Sequence, residues 1–196
     1  AAILAGDAAT VENIAAIRAD LGLDKPLPEQ FVTWMGQLLQ GDLGRSVFSK
    51  QPVTVLIGQR IEPTISLALM TLLFSVLVAV PMGIIAAWRQ GGWLDRGIMA
   101  LSVAGFSIPV FVLGYILIYF FSMKLDLLPV QGFASLSEGI LPFLERITLP
   151  MVTLSFIYIA LFARITRAAM LEVLGEDYIR TAHAKGLKEN VVLVKH

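Results

Sequence analysis

Residues 63–88 read PTISLALMTLLFSVLVAVPMGIIAAW, 26 residues without an Asp, Glu, Lys or Arg. A helix rises about 1.5 Å per residue, so about 20 apolar residues cross the roughly 30 Å hydrocarbon core of a bilayer. Such a helix has no polar face to offer water, and in lipid it needs none because its backbone groups bond to one another. Two more charge-free stretches follow, 97–123 with 27 residues and 147–163 with 17. The last is short, but Arg164 and Arg167 behind it can snorkel to the interface and extend the span to 147–166. Composition agrees: 57% of the 196 residues are hydrophobic, 15% are charged and the mean hydropathy is +0.77. A soluble domain carries about 25% charged residues. The fold class expected is an all-α membrane protein with three transmembrane helices, about 63–88, 97–123 and 147–166, preceded by a small helical segment over 1–62.

That first segment is soluble in character. Thr10 suits the cap of a helix over 11–21 that stops at Gly22. A second helix is expected from Pro28 to Gln40, with Phe31, Trp34, Met35, Leu38 and Leu39 forming one apolar stripe. Within the spans, Pro81 and Pro109 are expected to kink their helices. Ala79, Gly83 and Ala87 form a row of small residues that lets another helix approach closely. Ser102, Gly105 and Ser107 are the small residues expected to face the bundle and possible positions along a pathway.

Lys and Arg near the span ends set the orientation. Arg89, Arg96, Arg164, Arg167, Arg180, Lys185, Lys188 and Lys195 lie on one side, and only Lys124 and Arg146 in the short opposite loop. Residues 89–96 and 167–196 are therefore expected in the cytoplasm, and 1–60 and 124–146 outside. The net charge is zero and there is no cysteine, so nothing points to nucleic acid, a disulfide framework, a thiol nucleophile or a cysteine metal site. No P-loop pattern and no H-E-x-x-H occurs. No catalytic or metal-ligating set is assigned. The spans carry no ionisable residue of the kind proton-driven carriers place in the membrane, which makes the chain an apolar conduit without its own energy source.

After the third span, residues 176–188 read EDYIRTAHAKGLK. Gly175 breaks the preceding helix. Glu176 and Asp177 suit the start of a new one, and Gly186 suits its end. Tyr178, Ile179 and Ala182 make a small apolar face, with Arg180, His183 and Lys185 on the remainder. On physical grounds alone this is a helix of about two turns at the cytoplasmic surface, open either to anionic lipid or to a protein partner.

The stretch YIRTAHAKGL resembles the cytoplasmic coupling loop of binding-protein-dependent ABC transporter permeases, in their dipeptide, oligopeptide and nickel branch. The general motif is Glu-Ala-Ala, three residues, then Gly. Aligned on Gly186, its first three positions are Arg180, Thr181 and Ala182, a variant that with Ala184 and Lys185 is similar to the peptide branch. Residues 21–46, LGLDKPLPEQFVTWMGQLLQGDLGRS, resemble the outer-face insert of that branch, and GGWLDR (91–96), SIPVFVLG (107–114) and LLPVQG (127–132) also fit. The resemblance implies a six-helix type I importer permease of the bacterial inner membrane, with one span upstream of this chain and two downstream. It implies a coupling helix over 176–186 that docks on an ATP-binding subunit. Tyr178, Ile179 and Ala182 are expected to fill its groove, and Arg180 and Lys185 to meet its acidic rim. ATP would be bound by the partner subunits and not by this chain. Other implied partners are a second homologous permease, an extracytoplasmic solute-binding protein and membrane lipid. A secondary transporter or channel not driven by ATP is the alternative, and a lipid-binding membrane anchor a third class.

Overall fold

A computed structural model describes residues 10, 15, 18–19, 22–46 and 48–186 of the chain. The helix expected over 11–21 lies almost wholly outside the described residues; Ala15, Arg18 and Ala19 are helical. The chain divides into two compact units, 1–62 and 63–196, each taken by itself below.

In the first unit, helix α1 spans Leu27–Leu39, one residue earlier at each end than expected. Pro28 occupies its first turn beside Glu29, whose carboxylate takes a 2.8 Å bond from Lys25. The apolar stripe is present, but Phe31, Trp34 and Leu39 are each more than half exposed. The following loop is closed by backbone bonds from Ser46 to Gln51 and from Val53 to Gly44.

Helix α2 spans Val53–Trp88, so it starts well ahead of the expected Pro63. Both Pro63 and Pro81 lie inside it, and it runs unbroken through Pro81. In the second unit, five of its six buried residues, Thr71, Ser75, Ala79, Gly83 and Ala87, recur every fourth position, with Ala86 the sixth. This row, longer than the sequence suggested, is the packing face. A β-carbon at Gly83 would stand 2.7 Å from the Ala163 carbonyl oxygen and 2.6 Å from Thr166 Cβ. The small residue is what permits that approach. Ser155 donates a 3.2 Å hydrogen bond across to the Thr71 carbonyl, which also accepts from Ser75 at 2.6 Å.

The expected span 97–123 is not one straight helix. Helix α3, Trp93–Ser107, and helix α4, Val110–Leu117, are separated by Ile108 and Pro109. The α4 direction continues as a π-helical turn, Ile118–Lys124, and the two halves are bent by 103°. Pro109 therefore breaks the helix outright. Its ring pushes the preceding residue out of the helical region, and Ile108 is extended at φ −90°, ψ 121°.

Helix α5 spans Ile140–Leu174. It is about 52 Å long at 1.5 Å per residue, and it begins seven residues before the expected 147. Residues 140–144 form its first turn. Between α4 and α5, Ser135 and Glu138 close a reciprocal cap around the 3-10 turn Leu136–Glu138. Phe133 meets Phe143 edge-on with ring centres 6.3 Å apart.

Contacts along α5 fix the topology of the broken span. Asp95 meets Arg167, Gly105 meets Ala160, Gly114 meets Thr153, and Gly132 meets Arg146. The chain from 95 to 132 thus travels steadily down α5 in the opposite direction. Arg167 and Phe143 are separated by about 36 Å of helix rise, more than the hydrocarbon thickness. Together with the loop after it, the bent pair carries the chain from one end of α5 to the other as a broken span. By contrast, Thr71 meets Ser155 and Gly83 meets Ala163, so α2 and α5 run parallel.

Candidate functional site

Helix α6, Asp177–Ala184, follows α5 after a two-residue joint. Gly175 caps α5, and the Glu176 N–H bonds back to the Val173 carbonyl at 3.1 Å. Asp177 places negative charge in the first turn, where the helix dipole favours it. Gly186 follows the last turn at φ +80°, a left-handed conformation that a side chain would strain.

The apolar side of α6 faces its own chain. Ile179 is 2% exposed and Ala182 8%, packed with Leu174 from the end of α5. This corrects the expectation that Ile179 and Ala182 fill a partner's groove. They are occupied in fixing the angle of α6 against α5. The surface left for a partner carries Asp177, Tyr178, Arg180, Thr181, Ala184 and Lys185, all exposed. Glu176 at the joint is exposed as well. Tyr178 shows about half its surface, 49%. Arg180 reaches Asp177 at 3.2 Å within the helix; so exposed a pair contributes little and is free to exchange for another partner.

Upstream on α5, Arg167 does not snorkel as expected. Its guanidinium grips Asp95 from α3, Nε to Oδ1 at 2.5 Å and Nη2 to Oδ2 at 2.7 Å. The Gly91 N–H donates to the same carboxylate at 2.9 Å. Asp95 is 4% exposed. A bidentate pair of this kind fixes direction as well as distance. Asp95 is buried and Arg167 half-buried, so loss of Arg167 would strand the carboxylate. Arg164 lies over the Phe106 ring at 5.0 Å. Sequence reading missed the Asp95 pair. The available signal was a lone carboxylate, in a short basic loop at the foot of a span.

The residues considered for a pathway fall elsewhere. Ser102 is buried and donates to the Ile98 carbonyl at 3.0 Å. A β-carbon at Gly105 would stand 2.7 Å from the Ala160 Cβ. Asp95, Ser102 and Gly105 are the buried residues of α3 and share one side of it. Gly105 is therefore taken up by helix packing on α5, which leaves no room for a solute. Ser107 is exposed and bonds the Val103 carbonyl at 2.9 Å. One open groove lies instead between α2 and α5. This groove of about 480 Å³ is lined by Thr64, Leu67, Thr71, Leu72, Tyr158 and Phe162, among others. The Thr71 hydroxyl is buried without a hydrogen-bond partner among the described residues.

A helical membrane unit that carries a short amphipathic helix after its last described span has counterparts among known proteins. Residues 79–196 match the family described as "Binding-protein-dependent transport system inner membrane component". The chain belongs to this family. Residues 1–68 match the N-terminal family of the same transport-system membrane components. The chain is similar over its whole length to a probable peptide ABC transporter permease of Sinorhizobium fredii, at 53% identity and 63% of that protein's length. A putative peptide transport system permease of Brucella abortus is 40% identical and is covered over 62% of its length. A glutathione transport system permease of Pectobacterium atrosepticum is 43% identical, with 61% covered. The chain thus spans less than two thirds of the length of these relatives. As an inner-membrane component of a transport system, this family member places its apolar helices in the bilayer.

Proposed function

We propose that the chain forms part of the permease subunit of an ATP-driven importer for peptides or a similar small solute, glutathione included. Its α6 meets an ATP-binding subunit, and ATP is bound there. A second, homologous permease completes the membrane pathway, and an extracytoplasmic binding protein delivers the solute. Support for the solute class comes from the names of the peptide and glutathione permeases to which the chain is similar.

The observation that carries the coupling role is the geometry of α6. Its apolar stripe is spent on its own chain, its polar side is free, and it sits at the tip of a 35-residue helix. A force on the free side reaches α5 directly, because Ile179 and Ala182 lock the two helices together. ATP binding by the partner then selects one of two packings of the spans.

The test is uptake by the intact transporter in sealed vesicles. Labelled peptide or glutathione accumulates only when ATP is present on the α6 side. Uptake driven by a proton or sodium gradient with no ATP would replace this reading with that of a secondary carrier.

A further inference from the structure

On the reading of α6 as the contact with an ATP-binding subunit, we propose that Asp95 and Arg167 form a transmission clamp. It joins the 89–92 turn, the foot of α3 and the lower end of α5 into one body that moves with α6.

Three segments meet at a single carboxylate. Oδ1 accepts from Arg167 Nε on α5; Oδ2 accepts from Arg167 Nη2 and from the Gly91 backbone N–H in the turn. Gly91 holds φ +74°, so the turn that presents this N–H depends on a residue without a side chain. Arg167 lies seven residues before the end of α5 at Leu174, about 10 Å up the helix from the joint to α6. The clamp therefore acts close to where a push from α6 enters the spans.

A second contact between the same helices shows why the clamp matters. Gly105 seats against Ala160, and Arg164 covers Phe106 beside it. Both contacts lie near one point of α3, about 15 Å along the helix from Asp95. Ser102, buried on the same side of α3, extends this packing. The bidentate ion pair adds a directed bond at the foot of α3, which fixes its orientation there. With the clamp intact, tilting α5 carries α3 and the turn with it. Without it, the foot of α3 and the turn lose their bond to α5, and part of the push is dissipated within the chain. Stability alone does not call for such a pair, since well-packed apolar residues serve a buried site as well or better.

The experiment uses the whole transporter in vesicles and reads solute moved per ATP hydrolysed. Asp95→Asn and Arg167→Gln each lower this ratio about fivefold or more, the low end for coupled sites, while hydrolysis continues. The double variant is no worse than either single one, because both remove the same link. Arg167→Lys keeps the charge but loses the fork, and it falls in between; it also serves where a neutral variant fails to fold. In a transporter cleared of cysteines outside this chain, which has none of its own, Asp95→Cys with Arg167→Cys allows a short bismaleimide to bridge the two positions. Bridging restores the ratio that the unbridged pair has lost. An unchanged ratio with only a lowered melting temperature would make the pair a structural staple, and a bridge that blocks transport would mean that it must open in each cycle. Either result overturns the clamp. Failure of the unsubstituted chain to associate with any ATP-binding subunit would instead overturn the reading of α6.

Discussion

At the scale of single residues, α6 shows how much depends on which body covers an apolar stripe. The stripe Ile179–Ala182 is readable in the sequence, but an eight-residue helix does not reveal whether its own chain or a partner covers it. Contact with Leu174 decides for its own chain. Ala182→Arg is therefore expected to push α6 off α5, leaving ATP hydrolysis running with little uptake. Gly186 makes a separate prediction. No atom lies within 4 Å of a β-carbon placed there, and φ is +80°, so the cost of a substitution is strain and not crowding. Gly186→Ala costs about 1–2 kcal/mol and weakens coupling. Gly186→Pro, whose ring requires φ near −65°, abolishes it. Uptake and ATP hydrolysis measured side by side check all three variants. Normal transport by Ala182→Arg and Gly186→Pro together would contradict the placement of α6.

At the scale of elements, the sequence is clearest where the solvent leaves one option. A charge-free run of membrane length has to be helical because lipid supplies no hydrogen bonds, and α2 and α5 follow. Their added turns, Val53 to Pro63 and Ile140 to Ile147, contain Arg60, Glu62, Glu145 and Arg146, the charges that bound the charge-free runs in the sequence. The prolines were not separable by composition. Pro81 sits in an uninterrupted helix, whereas Pro109 sits in a break where Ile108 is extended. Both halves of the broken span dock on α5, Gly105 on Ala160 and Gly114 on Thr153. Pro109→Ala is therefore expected to keep the bend. Spin labels at Ile98 and Phe121 should give the same distance with or without it. A rise toward about 35 Å, the length of a straight helix over those residues, would show that proline alone imposes the break. On α2, Gly83→Leu is expected to cost about 1–3 kcal/mol through overpacking, read as a lower melting temperature in detergent. No loss would mean that α2 and α5 do not pack at Gly83.

At the scale of the molecule, two spans run parallel and the broken one runs back between their ends, so α6 and the 89–92 turn share a side. Positive charge near the span ends predicts that this side is the cytoplasmic one. The Asp95–Arg167 pair was not legible because its partners are 72 residues apart and no local pattern links them. The family resemblance was legible, since it rests on local motifs such as YIRTAHAKGL, and residues 79–196 match that family. A motif gives the neighbourhood of a contact; only the packing shows which side of α6 remains open.

The most direct measurement is crosslinking from a cysteine at Tyr178 or Arg180 in the complete transporter, against a background that has no other cysteine in this chain. Both positions are expected to join to an ATP-binding subunit, with a yield that changes when ATP is added. A cysteine at Ile179 should stay unreacted. Crosslinks from Tyr178 and Arg180 that reach only lipid, with or without ATP, would contradict the coupling role.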